Sequence, residues 1–112
     1  MNIFKKIKAR LQLTKAIKLA DKCHAEDGGR YYVMPTFNRT KSGKRKHALA
    51  VMDRSNFRKL KQKHYISQRA SVADLLRECF YHTPYRDGSG EIPKYKLEEK
   101  LAQYYRWRSN PV

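Results

Sequence analysis

Residues 30–52, RYYVMPTFNRTKSGKRKHALAVM, decide the fold. The stretch 30–37 is rich in aromatic and β-prone residues. Drawn as a strand, it puts Tyr31, Val33, Pro35 and Phe37 on one face and Tyr32 and Met34 on the other. Pro35 has no N–H to give to a ladder, which argues for an edge strand or a bend. NRTKSG at 38–43 is turn chemistry ending at Gly43, and HALAVM at 47–52 reads as the returning strand. Two such runs around a glycine-bearing turn predict a β-hairpin with a basic tip.

On the N-terminal side, residues 2–25 contain no Gly or Pro and are rich in Lys, Leu, Ala and Ile. They predict one long helix, stopped by Gly28-Gly29. Phe4, Ile7, Leu11 and Thr14 form one stripe at helical spacing, and Leu13, Ala16, Ile17, Ala20 and His24 a second. With seven Lys and Arg around it, this helix has the pattern of one that lies on an anionic membrane surface. Its apolar stripe is interrupted and lacks Trp, and packing on the domain core explains it more simply.

On the C-terminal side, Asp53 or Ser55 can cap a helix over about 55–64, with Phe57 and Leu60 facing inward. Ser71, with Asp74 three residues on, resembles a capping box opening a helix over 71–82. Val72, Leu75, Leu76, Cys79 and Phe80 give that helix the cleanest amphipathic pattern in the chain. Thr83-Pro84 ends it. After the turn-rich YRDGSGE, Pro93 opens a last helix, with Leu97, Leu101, Tyr104, Tyr105 and Arg108 along one side. The expected fold class is α+β. One small basic domain, residues 1–112, carries a long N-terminal helix, a β-hairpin and three short helices. A lone hairpin is marginal in water, so the helices are expected to cover one face of the two-stranded sheet.

Composition limits the function. The 112 residues are 40% hydrophobic and 12% aromatic, enough for one small core and unlike a disordered chain. Against 10 Asp and Glu stand 26 Lys and Arg, a formal net charge of +16. Soluble domains need only about 2–8 charges of either sign. The excess points to a polyanion, DNA or RNA first, with an acidic protein as the other partner class. No segment approaches ~20 apolar residues, so no membrane span is expected. The basic N-terminus is not followed by the apolar run of a secretory leader. A cytoplasmic setting with two free thiols, Cys23 and Cys79, is the expectation.

The charge is unevenly placed. From Gly28 to Ala73 twelve Lys and Arg face one acid, Asp53. The run covers the hairpin tip, with Arg39, Lys41, Lys44, Arg45 and Lys46, and the following helix, where Arg54, Arg58 and Lys61 share a face at i, i+4, i+7. Like charges so spaced cost a helix a few tenths of a kcal/mol per pair, which bound phosphate would offset. These eight residues are the candidate nucleic-acid contacts. A solvated face of a basic protein is the plainer explanation.

Other chemistries have less support. Residues 54–82 can be drawn as a helix-turn-helix, but the connection is long and the second helix carries Asp74 and Glu78. Tyr31, Tyr32, Tyr104, Tyr105 and Trp107 could stack on bases, although a small domain needs most of them in its core. Cys79-x-x-His82 has ligand spacing, whereas adjacent Cys23-His24 does not match a zinc knuckle, and no metal or cofactor is expected. There is no Gly-rich phosphate loop, G-x-S-x-G or H-E-x-x-H, so neither an enzyme nor a small-molecule substrate is expected.

Three stretches, KCHAEDGGRYYVMP at 22–35, VMDRSNFRKLKQKHYI at 51–66 and VADLLRECFYHTPYRDG at 72–88, resemble small uncharacterised basic proteins of phages and mobile elements of gut bacteria. The resemblance covers about half of the chain. It implies a phage accessory protein that handles DNA or assists packaging, and carries over no individual site residues. The expected function is nucleic-acid binding mainly through phosphate contacts. A virion component or an adaptor for an acidic partner is the alternative.

Overall fold

Asn2 starts the first helix: its side chain accepts a hydrogen bond from the Lys5 N–H at 2.8 Å. In the computed structural model, which describes residues 1–112, α1 (Ile3–Asp27) then runs unbroken to Gly28. Gly28 takes φ +74° and closes its N–H on the His24 carbonyl, a left-handed helix end open to glycine at no steric cost. Twenty-five residues at about 1.5 Å each span roughly 37 Å. The longest molecular dimension is 40 Å, so α1 runs nearly the length of the molecule.

The hairpin follows as β1 (Tyr32–Arg39) and β2 (Arg45–Met52), paired antiparallel from Tyr32↔Met52 to Arg39↔Arg45. Both strands run two residues further toward the tip than the sequence suggests. The turn closes through Thr40 N–H to Lys44 carbonyl at 2.7 Å and Gly43 N–H to Thr40 carbonyl at 2.9 Å. Gly43 sits at φ +83°, the glycine position of a three-residue hairpin loop.

Next come α2 (Arg54–Gln62), capped by Asp53, and α3 (Val72–Glu78), whose Asp74 carboxylate accepts from the Ser71 N–H at 2.7 Å. Here the structure departs from the sequence reading. The helix expected to reach residue 82 stops at Glu78, and residues Tyr81–His82 form a third strand, β3. The sheet order is β2-β1-β3, with Val33↔Tyr81 and Tyr32↔His82 paired antiparallel. Backbone explains the change. Phe80 N–H donates to the Val33 carbonyl and Thr83 N–H to the Tyr31 carbonyl, both at 2.9 Å. Buried carbonyls on the β1 edge need donors, and that demand outweighs one more helical turn. Alternation points the Pro35 backbone to this same side, beyond the end of β3, so its missing N–H costs no ladder bond.

The helices cover both faces of the sheet, not one. On the first face Val33 packs with Ala9, Leu13 and Ala20 of α1, with Phe80, and with Tyr104 of α4 (Lys94–Ser109). The Tyr104 hydroxyl donates to the Ala9 carbonyl at 2.7 Å. On the second face Tyr32 packs with Phe57 of α2, Leu75 of α3 and Cys79. Consecutive residues of a strand point to opposite faces, so Tyr32 and Val33 can both be fully buried only in a sheet sandwiched between layers.

Three side-chain expectations change as a result. The apolar stripe of residues 72–80 is divided: Leu75 and Cys79 enter one core, Phe80 the other, and Leu76 is left 38% exposed. Leu97 of α4 is likewise exposed. In α1 the second stripe faces the core through Leu13 and Ala20, joined by Ala9, which lies outside that stripe. The first stripe does not pack: Phe4, Ile7 and Leu11 point to solvent, together with Ile3.

Candidate nucleic-acid interface

Every residue from Phe37 to Lys46 is exposed. This is the part of the hairpin that projects past the helices. Strand alternation separates its charges as the sequence requires. Arg45 turns to the face of α1 and α4 and lies over the Phe37 ring, 4.2 Å from its centroid. Phe37 in turn meets His47 and Trp107, whose rings pack edge-on at 4.6 Å. This ring cluster fixes the direction of the tip. Arg39 donates to the Gly43 carbonyl at 3.3 Å, within the turn. The side chains of Lys41, Lys44 and Lys46 are exposed, with no hydrogen-bond partner and no ion pair.

The helical half of the candidate set is different. Arg58 is exposed. Lys61 is half-buried and its ammonium donates to the Ala70 carbonyl at 2.7 Å, tying α2 to the segment before α3. Arg54 is half-buried and donates to the Tyr85 hydroxyl at 3.3 Å. Arg30 lies over that same ring, 4.1 Å from its centroid. Seven residue steps along the strand separate the Arg39–Arg45 pair from the Tyr32–Met52 pair where α2 begins, roughly 23 Å of extended chain. The structure therefore gathers Arg39, Lys41, Lys44, Arg45 and Lys46 into one patch. It sets Arg54 at the far end of the hairpin, with Arg58 and Lys61 along α2.

The tip differs from the rest of the surface in the density of its charge, five bases and no acid within residues 37–46. Arg77–Asp74 is the one ion pair of the molecule. Two carboxylates are otherwise engaged: Asp53 caps α2, and Asp27 accepts from the Gly29 N–H and the Tyr31 hydroxyl. Asp27 is held below the usual carboxylate range chiefly by that hydroxyl. No carboxylate answers the tip charges.

The remaining candidate chemistries take structural positions. Tyr32 and Tyr104 are buried, and Trp107 sits in the ring cluster, so the exposed rings are Phe4, Phe37, Tyr65, Tyr85 and Tyr95. α2 and α3 are joined by residues 63–71 and α3 has seven residues, unlike a helix-turn-helix with its short connection. Cys79 is buried, its thiol pushed up by burial and directed at the Leu76 carbonyl, 3.4 Å away. His24 Nδ1 lies 2.6 Å from the Gly29 carbonyl oxygen. No three His, Cys, Asp or Glu side chains come together around a point. His82 Nδ1 lies 2.8 Å from an Arg30 guanidinium nitrogen. Burial, reinforced by the Arg30 charge, brings its pKa down to about 4.

No protein-family model, curated protein or solved structure matches the chain.

One feature escaped the sequence. An open groove of about 1070 Å³ runs along the second face of the sheet beyond the α2–α3 core. Met34, Ala50, Met52, Leu60, Tyr65 and Ile66 contribute to its mostly apolar lining. The connection 63–71 forms one wall. In sequence it is short and mixed in character, which gave no sign that Tyr65 and Ile66 would face a shared space. No helix is long and apolar enough to cross a membrane.

Proposed function

We propose that this protein binds nucleic acid by its phosphate backbone, with the hairpin tip as the gripping element and no catalysis. The observation that carries the proposal is the tip itself. Residues 37–46 are all exposed, hold five bases and no acid, and have no carboxylate partner. A two-stranded finger with charge on both faces suits an environment of phosphates on several sides. Arg58 would extend contact along α2, while Arg54 and Lys61 serve the fold through their present bonds. Such contacts position a protein without reading bases, so little sequence preference is expected. The cytoplasm, where DNA and RNA are accessible and thiols stay reduced, is the compartment this reading implies.

The test is affinity for DNA and RNA against salt. Each neutralised phosphate releases counterions, so log K should fall linearly with log salt. A slope near zero between about 50 and 200 mM salt would overturn the backbone mechanism. The groove beneath Tyr65 favours a second reading, an adaptor that takes an apolar segment of an acidic protein. Capture of protein from host lysate that survives nuclease, and is lost in Tyr65→Ser, would favour that reading.

A further inference from the structure

The outer face of α1 is unexplained by the fold. Ile3, Phe4, Ile7 and Leu11 are 68%, 80%, 54% and 59% exposed. At 100° per residue these four fall within an arc of about 100°, directly opposite Ala9, Leu13 and Ala20. The helix is therefore apolar on two sides. One side packs on the sheet, and the other faces outward along the first three turns. The flanks of the outer stripe are Lys6, Lys8 and Arg10, and one turn beyond Leu11 the same face becomes cationic, with Lys15, Lys18 and Lys22 exposed. Residues 1–20 hold six Lys and Arg and no acid. Tyr105 of α4 borders the stripe, with the Lys6 ammonium 5.3 Å from its ring centroid.

We propose that this face is a docking surface for an anionic lipid bilayer. Ile3, Phe4, Ile7 and Leu11 enter the interfacial region while the surrounding lysines meet lipid phosphates. The reasoning is charge complementarity combined with shape. A second copy of the chain would set two lysine-flanked faces against each other, each without an acid over residues 1–20. Nucleic acid would satisfy the lysines but leave four large apolar side chains without an apolar medium. Apart from the shallow depression beside Tyr105, the face is the open side of an exposed helix, which a bilayer accepts without a matching groove. An apolar arc with Phe, bordered by Lys and Arg, is the pattern of a helix lying in the membrane interface. Juxtamembrane bases add attraction to anionic headgroups within a Debye length. Tyr105, with an apolar ring and a polar tip, suits the same depth. Because this face points away from the sheet, it stands independently of the hairpin tip. A molecule docked through α1 would keep that finger free.

Vesicle flotation tests the proposal. Wild-type protein should bind vesicles of phosphatidylcholine containing phosphatidylglycerol and bind pure phosphatidylcholine weakly. The Phe4→Ser/Ile7→Ser/Leu11→Ser variant keeps the net charge and touches no buried residue, so it should fold. It should lose about tenfold or more in affinity for the anionic vesicles. Equal binding by wild type and variant would mean only that a cationic protein adheres to negative surfaces, and would overturn the proposal. Phe4→Trp should gain a blue-shifted emission quenched by bromine-labelled acyl chains, and absence of that quenching equally overturns insertion. If wild-type protein forms a dimer that the triple variant abolishes, a second copy occupies the face instead and the proposal fails.

Discussion

The two ends of the hairpin share strands, register and alternation, and do opposite things. At the base, Tyr32 and Val33 are sealed between α1 and α4 on one side and α2 and α3 on the other. At the tip, Phe37 still meets Trp107 of α4, and Asn38 to Lys46 are exposed beyond it. The ladder is continuous from one end to the other. What changes is whether helices flank it. Burial at the base holds the fold. Exposure at the tip allows five uncompensated bases, which would be costly anywhere water is excluded. Stability and binding should therefore separate along one element.

The largest expected effect is at the base. Leu75, 1% exposed between Tyr32 and Phe57, should cost about 2–5 kcal/mol when changed to Ala. Urea unfolding would measure it, and nucleic-acid affinity of the folded fraction should not change. If Leu75→Ala weakened binding at full stability, base and tip would not be separable.

The tip variant Lys44→Ser/Arg45→Ser/Lys46→Ser should behave inversely. Affinity should fall more than about tenfold at moderate salt, and the salt slope by up to about three. Its stability should drop by no more than about 1 kcal/mol, the value of the exposed Arg45–Phe37 contact. Unchanged affinity with intact circular dichroism would leave only diffuse charge.

Acid should act on the base through His82. The folded-state pKa of His82 near 4 lies below its ordinary 6.5. As pH falls, the unfolded chain takes up this proton first. The stability His82 permits is thus complete above about pH 6.5 and is lost between there and about 4. The ring is half exposed, so screening reduces the effect to about 1–2 kcal/mol. Unfolding of wild type and His82→Gln, compared at both ends of that window, isolates it. Equal pH dependence in the two would remove His82 from the account.

The smallest effect sharpens the comparison within α3. Leu76→Ala, one residue from Leu75 but 38% exposed, should cost less than about 1 kcal/mol. A loss as large as that of Leu75→Ala would mean that the stripe packs as one face after all.

Much of the candidate site was legible because turn chemistry is local. NRTKSG and its glycine announce an exposed loop in any context, and the bases around it could only be solvated. The partners of Arg54 and Lys61 were not legible. Tyr85 and Ala70 reach them through the packing of distant or irregular segments, and helical spacing says nothing about those. The same holds for the outer stripe of α1. Two apolar stripes on one helix cannot both meet a single sheet, and the sequence does not say which one does. The small residues Ala9, Ala16 and Ala20 were the available signal, since they allow a helix to approach a sheet closely.

The sequence by itself determined the α+β class, the long first helix ending at Gly28, the hairpin with its tip at Gly43, and the charge that tip carries. These rest on φ/ψ preference, alternation and composition, which act over a few residues. Only the tertiary structure decided that residues 81–82 leave the helical pattern for a strand, that both sheet faces are covered, and that Leu76 and the Phe4–Leu11 stripe face water. Those outcomes depend on which buried carbonyls need donors and which surfaces meet. They are set by residues about fifty positions apart, such as Phe80 and Val33, and a local pattern holds no record of a partner that distant.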